Sequence, residues 1–75
     1  MPKLPVIKDR DLLRALKRMG FMEVRQPGTS HVFLKHADGR IAVVAMHSGR
    51  DIPRGTLANI LERSGITVDQ LLAAL

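Results

Sequence analysis

Apolar residues recur at helical spacing early in the chain, at alternate positions in its middle, and at helical spacing again towards the end. Leu12, Leu13, Leu16 and Met19 fall on one stripe of a helix predicted from Asp9 to Met19. Arg14, Lys17 and Arg18 crowd its last turns, where the helix dipole favours cations. Gly20 ends it, and Phe21 is placed to fold back on Leu16.

Three short strands are predicted next. Met22 to Gln26 alternates Met22 and Val24 with Glu23 and Arg25. Pro27-Gly28-Thr29-Ser30 is a turn by composition. His31 to Lys35 forms a second strand, with His31, Phe33 and Lys35 on one face and Val32 and Leu34 on the other. Asp38-Gly39 marks a hairpin. Ile41 to Met46 is a third strand, apolar on both faces, as a central or well-covered strand would be.

After the polar loop His47-Ser48-Gly49-Arg50-Asp51, a helix is predicted from Arg54 or Thr56 to Ser64, burying Leu57, Ile60 and Leu61 and stopped by Gly65. Thr67 and Gln70 have capping-box spacing and open a short last helix carrying Leu71, Leu72 and Leu75. These elements predict one α+β domain over residues 1–75: a three-stranded antiparallel sheet with both main helices on one face. The other face is left open, free to lie on a nucleic acid.

Charge adds a partner class. Twelve Lys and Arg against seven Asp and Glu leave a net charge of +5. A small basic domain favours a polyanion, of which nucleic acid is the commonest. With two Phe, no Trp and no Tyr, the chain has almost nothing on which to stack unpaired bases. RNA would be held through phosphates, 2′-hydroxyls and shape. The absence of cysteine removes disulfides, thiolate metal sites and a thiol nucleophile, and it fits a reducing compartment. Met1-Pro2-Lys3-Leu4-Pro5 is too polar and proline-broken for a signal peptide, and no apolar run approaches the roughly 20 residues of a spanning helix. The expectation is a cytoplasmic chain with no membrane segment. A core this small leaves stability marginal, so a partner protein is one route to more of it.

Catalytic candidates reduce to the histidines. An imidazole changes charge between about pH 5 and 8, so it can both take and give a proton in a cell. His31 sits where a turn enters a strand, held by the strand yet able to reach outward. RNA cleavage can use such a group directly, by removing the 2′-hydroxyl proton so that the oxygen attacks the adjacent phosphate. By position alone a surface histidine without chemistry is the commoner case. His47, at the end of the third strand, is either a second acid–base group or a residue that fixes a turn, and His36 reads as surface beside the hairpin. The three histidines match no compact zinc spacing, so no metal site is expected. Arg25, Lys35, Arg40, Arg50 and Arg54 lie around the strands and the second helix start, where together they can line a phosphate groove. Arg54 adds a cation to a helix N-terminus, and Gly55 lets a backbone come close.

The stretches Leu16 to Phe21 (LKRMGF), Gly28 to Leu34 (GTSHVFL), Ala37-Asp38-Gly39-Arg40 and Val44 to Ile66 (VAMHSGRDIPRGTLANILERSGI) resemble one family in one order. The chain resembles the HicA mRNA interferase toxins, also called the YcfA-like family. The resemblance covers nearly the whole sequence. It implies a fold like the double-stranded RNA-binding domain, ribosome-independent cleavage of mRNA without a small-molecule cofactor, and a catalytic histidine after a serine, which falls on His31. It further implies a HicB antitoxin that covers the site. The candidate RNA contacts are the turn Gly28, Thr29 and Ser30 before His31, with Arg25, Lys35 and Arg54. The family commonly has Gly-Ser-His where this chain has Gly28-Thr29-Ser30-His31, and it often has proline where Ala45 stands.

Two other classes compete. A non-catalytic RNA-binding module would share the fold but has no need of His31 in its Ser-His context. A helix-turn-helix DNA binder over Leu57 to Leu75 would need donors on its recognition helix, yet Val68 to Leu75 holds no Lys or Arg and carries Asp69.

Overall fold

The computed structural model describes residues 3–24 and 28–75. In chain order the elements are α1 (Asp9–Arg18), β1 (Phe21–Val24), β2 (His31–His36), β3 (Ile41–Ala45), α2 (Arg54–Ser64) and α3 (Val68–Ala74). The strands form one antiparallel sheet in the order β1-β2-β3, as consecutive hairpin-connected strands do. The order and layering are consistent with the α+β fold of double-stranded RNA-binding domains.

Amphipathic periodicity explains the layers. Leu12, Ala15 and Leu16 of α1, together with Leu57 and Leu61 of α2, bury one helix face each. They meet Phe21, Leu34, Ala42 and Val44 from the sheet, and Ile66 and Leu71 close the same core. Each fully buried leucine contributes about 1.5–3 kcal/mol relative to exposure. Gly65 ends α2 in the left-handed conformation, and Thr67 and Gln70 make the full capping box of α3, with both reciprocal bonds in place. Leu71 alone of α3 is buried. Leu72 and Leu75, which the pattern also places at this helix, are exposed, because seven residues give it one inward-facing turn.

The N-terminal segment is tied to the far side of the sheet. Lys8 bridges Asp51, the Ile52 N–H donates to the Ile7 carbonyl at 2.9 Å, and the Asp9 N–H donates to the Arg50 carbonyl at 3.1 Å. Residues 7–9 therefore run beside the 47–52 loop, which later positions one end of the candidate site. Strand β1 begins one residue earlier than its pattern predicts, because Phe21 is drawn into the core; the predicted extension to Arg25 and Gln26 lies outside the described residues.

Helices cover one face of the sheet, as expected, but the open face is not basic. The register places Met22 and Val24 of β1, His31, Phe33 and Lys35 of β2, and Ile41, Val43 and Ala45 of β3 on that side. Met22 is 74% exposed and Ile41 53%. Lys35 is the only Lys or Arg on this face among the described residues. The expectation of a well-covered third strand is thus corrected: β3 is apolar on both sides, and its outer side is uncovered rather than packed.

Candidate active site

His31 is the first residue of β2 and is exposed. Its strand pairing is anchored on one side, since His31 lies opposite Ala45 and the Met46 N–H donates to the Ser30 carbonyl at 3.0 Å. Thr29 closes the turn just before it. The His31 backbone N–H donates to Thr29 Oγ1 at 3.1 Å, and the same oxygen lies 3.3 Å from His31 Nδ1. One hydroxyl therefore meets both the backbone and the ring of the histidine two residues on. With Nδ1 engaged, Nε2 is the ring nitrogen left to face an incoming group.

His47 follows Met46, the last residue tied to the β2 side, so the chain brings it to the same end of the sheet as His31. Its backbone, not its ring, is the fixed part. The His47 N–H donates to Asp9 Oδ2 at 2.6 Å. Asp9 Oδ1 accepts from the Arg10 N–H, also at 2.6 Å. Asp9 is buried. The His47 amide holds its carboxyl below the usual carboxylate range, ahead of an opposing push from desolvation, with the Arg10 and Gly49 amides and the Arg10 charge adding to the lowering. The loop that these bonds hold turns through left-handed backbone at Ser48 (φ 54°) and Gly49 (φ 79°) and closes with the Arg50 N–H on the His47 carbonyl. Asp9 was legible only as a helix-start acid. Its carboxylate instead reaches across the fold, and no signal in the sequence marks that partner.

Cations gather round this loop. The Arg10 guanidinium packs against Gly49, where an added Cβ would lie 3.0 Å from it. Arg50 belongs to the loop, and Arg54 opens α2 after Pro53. A cavity of about 240 Å³ at the loop is lined by Asp9, Ala45, His47, Arg50, Pro53 and Thr56 among others. Arg10 is a cation at this loop that sequence reasoning missed, because its place beside Gly49 depends on the pairing of residues 7–9 with the loop.

Other predicted contacts fall elsewhere. Gly28, Thr29 and Ser30 are exposed at the His31 end. Lys35 shares His31's face but sits four residues along the strand, about 13 Å away, between Met22 and Ile41. Arg40 is not available to a phosphate groove. It pairs with Asp38 at 2.8 Å, donates to the Ser64 and Gly65 carbonyls, and lies 5.3 Å above the Phe21 ring. Arg25 lies outside the described residues. His36 is no surface bystander: it is half-buried, edge-on to Phe21, and its Nε2 lies 3.2 Å from the Met19 carbonyl. Among the described residues no group of three or more His, Cys, Asp or Glu is placed to hold a metal ion. No helix among them is long and apolar enough to cross a membrane.

Comparison with known proteins gives this arrangement a family. No curated protein matches the chain. A protein-family model described as "HicA toxin of bacterial toxin-antitoxin" matches residues 10–66, well over half of the chain, and the match takes in Ser30-His31, His47 and the Arg54 helix. The chain belongs to the HicA family, the toxins of bacterial toxin–antitoxin systems.

Proposed function

We infer that the chain is an endoribonuclease that cleaves mRNA with His31 as its acid–base group, is held in check by a HicB antitoxin, and works in the cytoplasm. The observation that carries this reading is the exposed His31 ring at the start of β2, tethered at Nδ1 and following Ser30 within the family match. His31 Nε2 takes the proton of a 2′-hydroxyl, the 2′-oxygen bonds to the adjacent phosphorus, and the bond to the 5′-oxygen breaks as that oxygen takes a proton from a second acid, for which His47, Lys35 and water are the candidates. Acid–base groups and the RNA's own hydroxyl carry this chemistry, so no cofactor enters it.

Binding falls to the cations at the same end. Arg10, Arg50 and Arg54 stand round the His47 loop, and the turn Gly28-Thr29-Ser30 offers exposed backbone and hydroxyls beside His31. With few aromatic side chains, affinity comes from phosphate neutralisation and shape rather than base stacking. A second acid–base role for His47 is consistent with its exposed position and with a fixed backbone beside His31's strand partner.

The test is RNA cleavage by the purified chain in excess EDTA, beside His31→Ala with matched circular dichroism. The native chain should cleave, and the variant should lose about a hundred- to ten-thousand-fold in rate while keeping its spectrum. Intact RNA that stays bound to both proteins would replace the reading with a non-catalytic RNA-binding module.

A further inference from the structure

Thr29 stands where the resembling family commonly has glycine, and its hydroxyl makes two contacts that a glycine cannot make. A hydroxyl oxygen has two lone pairs and one proton. The His31 backbone N–H occupies one lone pair at 3.1 Å, which fixes where Oγ1 sits. Nδ1 then lies 3.3 Å away, within reach of the second lone pair. Threonine is stiff about its first side-chain torsion, so the oxygen is held rather than merely near.

We propose that Thr29 is the positioning residue of His31: Oγ1 accepts a hydrogen bond from Nδ1–H, which leaves the lone pair of Nε2 facing the RNA. The inference rests on the reading of His31 as the acid–base group. A neutral imidazole carries one proton. If that proton is on Nε2, the outward nitrogen can donate but cannot take the 2′-hydroxyl proton. Holding it on Nδ1 makes Nε2 the base, and the tether is kept when Nε2 gains its proton, because the Nδ1–H bond does not change. Thr29's own O–H is then free to donate outward, beside the place where the phosphate must lie. A carboxylate commonly fills the Nδ1-partner role in histidine sites; here a neutral hydroxyl fills it, supplied by the neighbouring turn.

Two measurements decide this. Two-bond proton–nitrogen correlation spectra of the ¹⁵N-labelled chain at about pH 8.5, well above the usual imidazole range, report which ring nitrogen of His31 holds the proton. The native chain should show the Nδ1–H form. Thr29→Val, which keeps the shape and removes the oxygen, should move it to the Nε2–H form that free imidazole favours. Thr29→Ser should restore the native pattern. In cleavage assays Thr29→Val should lower kcat about three- to tenfold, the size of one neutral hydrogen bond, with KM little changed. Thr29→Ser should recover most of that loss. A native spectrum already in the Nε2–H form, or a Thr29→Val chain with unaltered spectrum and kcat, overturns the proposal. If the native chain cleaves no RNA, the ribonuclease reading fails, while a shift of the His31 proton in Thr29→Val still upholds the tether.

Discussion

Gly20→Ala should destabilise the fold well beyond Gly39→Ala, although both glycines have nearly the same backbone conformation, φ +100° and φ +98°. That match makes them a controlled pair. A Cβ in left-handed backbone costs about 1–2 kcal/mol, and at Gly39 nothing else is within reach, so the cost should stop there. At Gly20 the new Cβ would lie 2.9 Å from His36 Nε2. The ring cannot swing aside freely. Nε2 meets the Met19 carbonyl, Nδ1 is 3.1 Å from the Asp38 N–H, and the ring stands edge-on to Phe21 at 5.1 Å. Nδ1 also lies 3.1 Å from Asp38 Oδ1, so both ring nitrogens are engaged. Displacing the ring forfeits a hydrogen bond worth about 0.5–1.5 kcal/mol and an aromatic contact of similar size. Gly20→Ala should thus cost about 1–3 kcal/mol more than Gly39→Ala. In a domain of this size each kcal/mol lowers Tm by about 4–8 °C. Urea titrations of both variants, with His36→Ala in each background, measure the difference and its source. His36→Ala should be less costly beside Gly20→Ala than alone. Equal losses for the two glycine variants, within about 0.5 kcal/mol, would refute the claim that His36 is a fixed structural ring.

The buried Asp9 carboxyl gives an acid dependence with a definite sign. Its folded pKa is lowered, so its stabilisation is present above the unfolded value near 3.8 and is lost as pH falls through the folded value. Asp9→Asn should lower Tm at neutral pH, and the gap from the native chain should narrow below about pH 4; a gap constant from pH 7 to 3 would refute it. RNA affinity should fall steeply with salt, and Arg54→Ala should reduce the slope of log affinity against log salt by about 0.7–0.9. An unchanged slope would take Arg54 out of the interface.

What was legible in the sequence is what depends on near neighbours. The helix stripe of Leu12 and Leu16, the Asp38-Gly39 hairpin and the Thr67–Gln70 capping box all act over a few residues, and each forms as its pattern implies. His31 was singled out for the same reason, since a turn-to-strand boundary and a Ser-His pair are local features. The hidden features are polar contacts across long separations. Asp9 meets His47 at a separation of 38 residues, and Arg40 meets the Ser64 carbonyl at 24. Composition cannot show which carbonyl will be left without a partner when α2 ends, so Arg40 looked like a free cation. Nor can alternation alone tell a covered apolar strand from an uncovered one, so the outer side of β3 was read as buried. The consequence for the site is specific. Thr29 holds the His31 ring through a contact two residues long, whereas Asp9 holds the His47 loop through the tertiary fold. Loss of Thr29 should therefore alter chemistry at no more than the cost of one exposed turn hydrogen bond, about 0.5–1.5 kcal/mol, and loss of Asp9 should alter both chemistry and stability together.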